Sequence, residues 1–420
     1  MTIAGKTLLV SHGVQNGEID IGIPWLDAAQ ASVVVQAVTG VGNAPVADSH
    51  AQAQAVVDYL NAHGGIDGLK IRPVYYKLGI SNDANASGRA QDAQAACAQW
   101  TQDNHVFAFL VVIAPDTNYL QCAKNTQTPL LTAGFPELVD SVEYGQIPNL
   151  IYAPASMVID DRERMLVDQM SREGVLNPNT KVGLLVDGSV SMIKRAADNT
   201  LLPELKRLHI PVVSEVVFPD CIQSPWDTYV LQMRQAGVTH VYLSGTYCGS
   251  VPLLLFGRGA DNQKWAPQYI LSSDQGPAGN AGENSSHGAG YHGAGWLPLA
   301  DIGSPTPLTP TATTCNTIMR DAGQAQQGYG GKAGGDIFST GTSYCETLLF
   351  LQAALRGSSQ LTPDGVAAGA ASLAGTWLPV VTRTTNFGAN HHFAADTVQY
   401  FSYSPSCKCI AYTGAPFKFR

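Results

Sequence analysis

Residues 53–71 read AQAVVDYLNAHGGIDGLKI and predict a helix that stops at a double glycine just before a strand. The apolar residues of the first half recur at the spacing of one helix face: Ala53, Val56, Val57 and Leu60. Gly64-Gly65 ends the helix, because glycine readily adopts the left-handed conformation that follows a last helical turn. Leu69–Tyr76 then reads as a strand. A short connection between helix and strand is typical of α/β proteins.

Helix-like and strand-like segments alternate on both sides of this stretch. A first set runs from the strand Glu18–Ile23 through the apolar run Val106–Ile113 to the strand Pro129–Thr132. The run at 106–113 is apolar throughout, as expected of a parallel strand covered on both faces. A second set runs from a helix at Val158–Glu173 to a strand at Tyr269–Ser272. Two such sets predict an α/β fold of two doubly wound lobes, each with a parallel sheet.

Three segments are predicted to be loops from their composition. Gly276–Gly295 is rich in Gly, Ala, Ser and His, and Ser304–Thr314 is rich in Pro and Thr. Gly328–Gly335 is mostly glycine and precedes a predicted helix at Ser343–Leu355.

Charge and length exclude several classes of protein. With 24 basic and 33 acidic residues the net charge is −9, and the basic residues form no cluster. This balance argues against nucleic acid or an anionic membrane as partner. The longest apolar stretch, Val106–Ala114, is far shorter than the ~20 residues that span a bilayer. A length of 420 residues suits two or three domains.

The eight cysteines predict disulfides and therefore a location outside the reducing cytosol. Neighbouring cysteines are separated by about the length of one βα unit, which predicts three pairs: Cys97–Cys122, Cys221–Cys248 and Cys315–Cys345. Cys407 and Cys409 form either a tight bridge or a thiol pair that binds metal. No histidine or second cysteine pair lies nearby at zinc-finger spacing, which favours the bridge. Met1–Val10 lacks the features of a secretion signal, so we expect a mature exported form with an added Met1.

The stretch at 53–71 resembles the N-x-x-GGI-x-G-x-x-I/V signature of the type I periplasmic solute-binding proteins, the branched-chain-amino-acid-type receptors of ABC importers. Other segments are similar to landmarks of that family and follow in the same order: Gly13–Ile23, Pro129–Thr132 with Pro136–Leu138, Lys181–Asp187, Ser272–Gln275 and Thr385–Phe387. The likeness covers residues 13–413. Two departures are a longer loop at Pro24–Asp27 and Ser191 where amino-acid-binding relatives carry an aromatic residue.

The resemblance implies two lobes joined by three crossovers, with a ligand enclosed between them. The expected boundaries are 13–152 with 302–385 for lobe 1, 153–301 with 386–420 for lobe 2, and an N-terminal extension at 1–12. It also implies a small polar ligand, either an amino acid or a related organic solute, and an ABC transporter permease as the membrane partner. We expect a monomer without a cofactor or metal, in the periplasm or at the cell surface, where a lipoprotein anchor would hold it.

A solute site between α/β lobes uses the carboxyl ends of strands and the amino ends of helices. Asp274 is the sharpest prediction, because the resemblance places a carboxylate for a ligand ammonium there. Asp116 and Thr117 open a helix, where they either cap it or bind ligand. Trp25 and Phe338 are predicted aromatic walls. The remaining predicted ligand-binding positions follow strands: Ala114, Gly134, Phe135, Ser189, Ser191, Thr246 and Tyr247.

Enzyme motifs are weak in this sequence. Ser191–Lys194 matches S-x-x-K, but no K-T-G triplet follows it. Adjacent His391 and His392 would point to opposite faces of a strand, so they do not form a metal site together. We therefore expect no catalysis. A ligand-sensing receptor domain of the same fold is the first alternative, and an α/β enzyme is the second.

Overall fold

The computed structural model describes residues 2–3, 6–27, 48–79, 86–113, 115–133, 139–245, 247, 249–283, 285–302, 308–324, 340–389 and 391–419. Two sheets organise these residues, and each is the centre of one lobe. The fold is α/β with mainly parallel strands, as predicted from the alternating segments. Among the described residues, no helix is both long and apolar enough to span a membrane.

The sheet of the first lobe has six strands in the order β4-β5-β7-β8-β9, with β6 on the other side of β5. All pairs are parallel except the β4–β5 hairpin. The strands are β4 (Val14–Gln15), β5 (Glu18–Trp25), β6 (Lys70–Lys77), β7 (Ala108–Leu110), β8 (Leu130–Leu131) and β9 (Ile151–Tyr152). Residues 106–112 are all buried, although only three of them pair as β7.

The sheet of the second lobe has eight strands in the order β11-β10-β12-β13-β14-β16-β17, with β18 paired to β16. The first five strands are parallel, and the last three run antiparallel to their neighbours. They are β10 (Val182–Asp187), β11 (Val212–Phe218), β12 (His240–Leu243), β13 (Gln268–Ser272), β14 (Tyr291–Gly295), β16 (Thr397–Ser404), β17 (Cys409–Tyr412) and β18 (Phe417–Lys418). Short pairs also join β1 (Thr2–Ile3) to β2 (Lys6–Thr7) and β3 (Leu9–Val10) to β15 (Gln360–Leu361).

The helices connect and cover these strands. In the first part of the chain they are α1 (Ser49–Ala62), α2 (Ala86–Cys97), α3 (Thr117–Thr126), α4 (Ser141–Gln146), α5 (Ile159–Arg172), α6 (Ser191–Ala196) and α7 (Leu202–Arg207). The later helices are α8 (Trp226–Gln235), α9 (Val251–Asn262), α10 (Pro277–Glu283), α11 (Ser285–Gly288), α12 (Pro298–Ile302), α13 (Pro310–Asp321), α14 (Thr340–Leu355) and α15 (Pro363–Ser372). Because α13 and α14 pack on α1, the chain returns to the first lobe after building the second.

The loop predicted at 276–295 is wrong, and the loop predicted at 304–314 is wrong for its last residues, 310–314. Residues 276–295 contain α10, α11 and the buried strand β14. Small residues suit β14 because the space is tight: a Cβ at Gly293 would lie 2.1 Å from the Leu271 oxygen and 2.3 Å from the Phe401 ring. The end of the segment 304–314 begins α13, where Pro310 occupies the first turn and the Thr309 side chain caps Ala312 N. The segment predicted at 328–335 lies outside the described residues.

The core of the first lobe is centred on Trp100, which is fully buried. Its ring stacks on Phe109 and Tyr119, and its Nε1 donates a hydrogen bond to the Val74 oxygen at 2.9 Å. Gly22 of β5 is required beneath this ring, since a Cβ there would lie 2.7 Å from it. The tryptophan thereby fixes the helical segment after α2 against the sheet.

The disulfides that lie in the described residues match the predicted pairs. Cys97–Cys122 joins α2 to α3, Cys315–Cys345 joins α13 to α14, and Cys407–Cys409 is a bridge rather than a metal-binding thiol pair. Cys221 is disulfide-bonded, but Cys248 lies outside the described residues, so the pair Cys221–Cys248 stays a prediction. In the loop-entropy estimate the two long-range bridges contribute roughly 3–4 kcal/mol each.

Glu346 of α14 forms hydrogen bonds with residues 377–381, in the segment that leads back to the second lobe. Its carboxylate accepts hydrogen bonds from Trp377 Nε1 at 3.0 Å and from the backbone N–H groups of Val380 and Val381. The side chain is fully buried, and this burial raises the pKa of Glu346 to about 7 although the three donors oppose the shift.

We expect this glutamate to make the protein less stable as the pH rises from about 4.5 to 7. The folded state keeps a proton on Glu346 in that window, whereas the unfolded chain has released it, so deprotonation favours unfolding by up to roughly 3 kcal/mol. Urea unfolding at a series of pH values should show this slope, reduced in Glu346→Gln. Asp301 is also buried and has a pKa of about 7, so it makes its own contribution to the pH dependence of stability. The quantity to compare is therefore the difference in slope between the original protein and Glu346→Gln. Equal slopes would contradict the assignment.

Candidate functional site

The carboxyl ends of the parallel strands of both lobes carry the polar residues of the site. In the first lobe, α2 and α3 begin at this edge, and the Cys97–Cys122 disulfide ties the two helices together. In the second lobe, short loops leave β10, β12 and β13 at the corresponding edge. This is where open α/β sheets bind ligands.

Arg89 and Tyr247 meet across the two lobes. Arg89 lies in the first turns of α2, and Tyr247 follows β12. The guanidinium carbon lies 3.3 Å from the centre of the Tyr247 ring, which is a close cation–π contact. Arg89 is 3% exposed, so this cation is held away from solvent inside the cleft. Burial raises the pKa of Tyr247 to about 12, so its ring carries a neutral hydroxyl at physiological pH.

Asp187, the last residue of β10, organises the second lobe's side of the cleft. One carboxylate oxygen accepts hydrogen bonds from the backbone and the hydroxyl of Ser189, at 2.9 and 2.5 Å. The other oxygen lies 3.3 Å from the backbone nitrogen of Tyr247. The carboxylate is fully buried and thereby holds the loop after β10 against the loop after β12.

Asp116 caps α3, which is one of the two roles predicted for it. Its Oδ1 accepts from the backbone nitrogen of Asn118 at 2.9 Å and from the side-chain amide of Asn118 at 2.6 Å. Thr117 is the first residue of this helix. Because a carboxylate of the protein already occupies the positive end of α3, a ligand anion there would have to compete with it.

Asp274 lies in a buried ion network of the second lobe, beneath the loop that follows β12. Arg162 of α5 donates to Asp274 Oδ2 and to Glu163 Oε1, the latter at 2.7 Å. Glu163 also accepts from Tyr242 at 2.6 Å and from Ser244 at 2.9 Å. Arg162 and the two carboxylates are at most 2% exposed. Gly245 is needed above this network, since a Cβ there would lie 2.3 Å from the Arg162 guanidinium.

The network has two acidic groups and one cation. Burial raises the pKa of the Asp274 carboxyl, while Arg162 opposes the shift. Conversely, burial lowers the pKa of Arg162, but the carboxylates of Asp274 and Glu163 outweigh it and raise that pKa above its usual value. Asp274 Oδ1 has no hydrogen-bond partner among the described residues. One buried acceptor oxygen of the network is therefore left without a donor in the part of the chain that the structure describes.

The other described residues of the predicted site lie in different parts of the fold. Trp25 ends β5, where its ring contacts His50 and the Lys77 ammonium lies 5.2 Å from the ring centre. Ser189 is bonded to Asp187, and Ser191 is the first residue of α6. The following predicted positions lie outside the described residues: Ala114, Gly134, Phe135, Thr246 and Phe338.

Sequence reasoning missed Arg89, Asp187 and the pair Arg162–Glu163. Asp187 could have been found, because it ends the apolar strand VGLLVD at the edge where ligands bind. Arg162 and Glu163 lie in a helix whose polar residues read as a solvated face, yet both are buried. No sequence signal separates Arg89 from the other residues of its polar helix.

Two cavities lie near the lobes but outside the Arg89–Tyr247 contact. One, of about 30 Å³, adjoins Asp116 and Thr132 and has room for little more than a water molecule. The other, of about 290 Å³, lies where the chain crosses between the lobes, beside Val158, Asp161, His391 and Asp396. In the part of the chain that the structure describes, no three His, Cys, Asp or Glu residues are grouped to hold a metal ion.

No protein-family model and no curated protein matches this sequence. Solved structures do match over nearly the whole chain. A branched-chain amino acid ABC transporter protein of Thermus thermophilus with bound valine has a TM-score of 0.68 at 14% identity, covering 96% of this chain and 97% of that one. A fatty acid ABC transporter substrate-binding protein of Thermomonospora curvata has a TM-score of 0.66 at 14% identity, covering 99% and 95%.

A third similar structure is a solute-binding protein of Rhodopseudomonas palustris BisB5 in complex with 3,4-dihydroxybenzoic acid. Its TM-score is 0.65 at 12% identity, and the match covers 96% of this chain and 98% of that one. The ligands named for these proteins differ, whereas their architecture is the same as the one described above. This chain therefore has the type I periplasmic-binding fold, which it shares with the substrate-binding proteins of ABC transporters.

Proposed function

We propose that this chain is an extracytoplasmic solute-binding protein that encloses a small carboxylate-bearing solute between its two lobes and delivers it to the permease of an ABC importer. The lobe boundaries of this proposal are those expected from the sequence: 13–152 with 302–385, and 153–301 with 386–420. The protein acts as a monomer and without catalysis. A binding protein of this kind works by closure, because the closed form gains contacts from both lobes.

The observation that carries the proposal is the contact between Arg89 of the first lobe and Tyr247 of the second. A buried guanidinium at the junction of two lobes is suited to a carboxylate, which it can bind through paired charge-assisted hydrogen bonds. The valine, fatty acid and dihydroxybenzoic acid named for the similar structures all carry this group.

The Asp274 oxygen without a partner among the described residues is suited to the end of the ligand opposite its carboxylate. An amino acid would place its carboxylate near Arg89 and its ammonium near Asp274 Oδ1. A fatty or aromatic acid has no ammonium group and would contact Arg89 only. The proposed ligand class is therefore a small monocarboxylate, with amino acids as the members that engage both residues.

A thermal-shift titration with valine, octanoate and 4-hydroxybenzoate tests the proposal, with the matching amides, which lack the carboxylate charge, as controls. A bound acid should stabilise the protein by an amount that grows with concentration, about 2.7 kcal/mol at 100 times its Kd. Small-angle scattering of the same samples should show a more compact particle, and mass spectrometry should recover the acid unchanged. Absence of stabilisation by any of the acids, together with a constant particle shape, would contradict the proposal.

A further inference from the structure

The Cys407–Cys409 bridge differs from the other described disulfides in its surroundings. It lies at the tip of the β16–β17 hairpin, with Cys407 exposed. By contrast, Cys122, Cys315 and Cys345 are at most 4% exposed, and their bridges span 25 and 30 residues. A bridge that closes over a single residue restricts the unfolded chain very little. Stabilising the fold is therefore a poor explanation for it.

The residue between the two cysteines adds a second peculiarity. Lys408 has a φ of 52°, in the left-handed region that side-chain-bearing residues other than Asn and Asp seldom adopt. Lys408 is the residue between the two cysteines in sequence, and a positive charge close to a sulfur stabilises its thiolate. The tip thus combines an accessible sulfur, a short bridge and a cation that favours a thiolate leaving group.

The hairpin tip is on the opposite side of the second lobe from the cleft. β14 runs parallel to β13, so Gly295 is at the cleft edge and His292 is nearer the opposite edge. β16 pairs Gln399 with Gly295 and Ser402 with His292, so it runs away from the cleft toward the tip. Chemistry at the tip therefore has no direct contact with the ligand site.

We propose that Cys407–Cys409 is a redox-active disulfide that oxidises small thiols and dithiols by exchange. A thiolate attacks Cys407 Sγ and forms a mixed disulfide, while the Cys407–Cys409 bond breaks and its electron pair leaves with Cys409 Sγ, which takes up a proton. The second thiol then attacks the sulfur of the first thiol and releases Cys407 as a thiol. Two thiols are oxidised to one disulfide, and the bridge is reduced to two thiols.

Graded exposure of the native protein to dithiothreitol, followed by alkylation and peptide mapping, tests this proposal. We expect Cys407 and Cys409 to be alkylated at least ten times faster than the cysteines of the bridges Cys97–Cys122 and Cys315–Cys345. Equal rates, or slower reduction of Cys407–Cys409, would overturn the proposal. Since this measurement uses the unaltered chain, it does not depend on a variant that folds.

Two variants extend the test. Lys408→Gln should slow the reaction severalfold relative to Lys206→Gln, an exposed lysine on another part of the lobe, and an unchanged rate would remove Lys408 from the mechanism. The double variant Cys407→Ser/Cys409→Ser should keep a melting temperature within about 2 °C of the original protein. A larger loss would mean that the bridge is structural, which would contradict the proposal.

Discussion

Replacing Arg162 with methionine is expected to destabilise the protein by about 3–5 kcal/mol. Methionine keeps an unbranched apolar stem of similar length but removes the guanidinium. Glu163 and Asp274 would then be two buried acidic groups without a counter-charge. Two buried carboxylates without a cation cost far more than the same groups in water. The measurement is urea unfolding near pH 7 without ligand.

Arg164 provides a matched control on the same helix. It pairs with Asp161 at 3.1 Å, but both side chains are 45% exposed, so Arg164→Met should cost no more than about 1 kcal/mol. The two variants differ in burial and hardly in helix propensity. The loss in Arg162→Met should shrink in acid, because burial raises the pKa of Asp274 and this carboxyl then takes up a proton. If the two variants lost similar amounts of stability, the buried network would not have the role assigned to it.

Replacing Arg89 with methionine is expected to weaken the binding of a carboxylate ligand by roughly 10- to 100-fold. This corresponds to about 1.4–2.7 kcal/mol, the range for a hydrogen bond to a charged group. The loss should be confined to the acid, because an amide of the same ligand has no carboxylate and makes no ion pair with Arg89. Isothermal titration of acid and amide against both proteins measures this difference. Arg356→Met, at an exposed arginine of the first lobe, serves as the control.

Further variants test recognition of the ligand carboxylate and of the ligand ammonium separately. Arg89→Lys keeps the charge without the planar fork and should recover only part of the affinity. Asp274→Asn should weaken valine but leave octanoate unchanged, since only valine has an ammonium group. Equal affinity of the acid for the original protein and for Arg89→Met would remove the guanidinium from the proposed site.

The fold was largely predictable because it depends on hydrophobic periodicity. The helix that ends near the double glycine and the strand predicted at Tyr269–Ser272 are close to where the pattern places them. The errors have a physical basis as well. β14 is rich in glycine because it packs against Phe401 at close range, so its composition imitates a loop.

The site was much less predictable, because it depends on which polar residues meet across distant parts of the chain. Asp274 was selected from the sequence, but its partner Arg162 is 112 residues away and reads as part of an exposed helix face. Arg89 and Tyr247 come from different lobes, and neither carries a local signal for the other. The local pattern of hydrophobic residues predicts a helix or a strand. Whether a charged side chain is buried depends instead on tertiary packing.

The return of the chain to the first lobe has a consequence for how the protein acquires its structure. The N-terminal strand β3 pairs with β15 at residues 360–361, and α1 packs under α14. The strands β10 to β14 of the second lobe, by contrast, come from one continuous stretch. The second lobe can therefore form largely from contacts that are local in sequence. In the first lobe, the surface of α1 stays exposed until residues beyond 340 pack on it. Contacts of such long sequence separation form slowly, so the first lobe is the part of the chain most in need of protection before folding is complete.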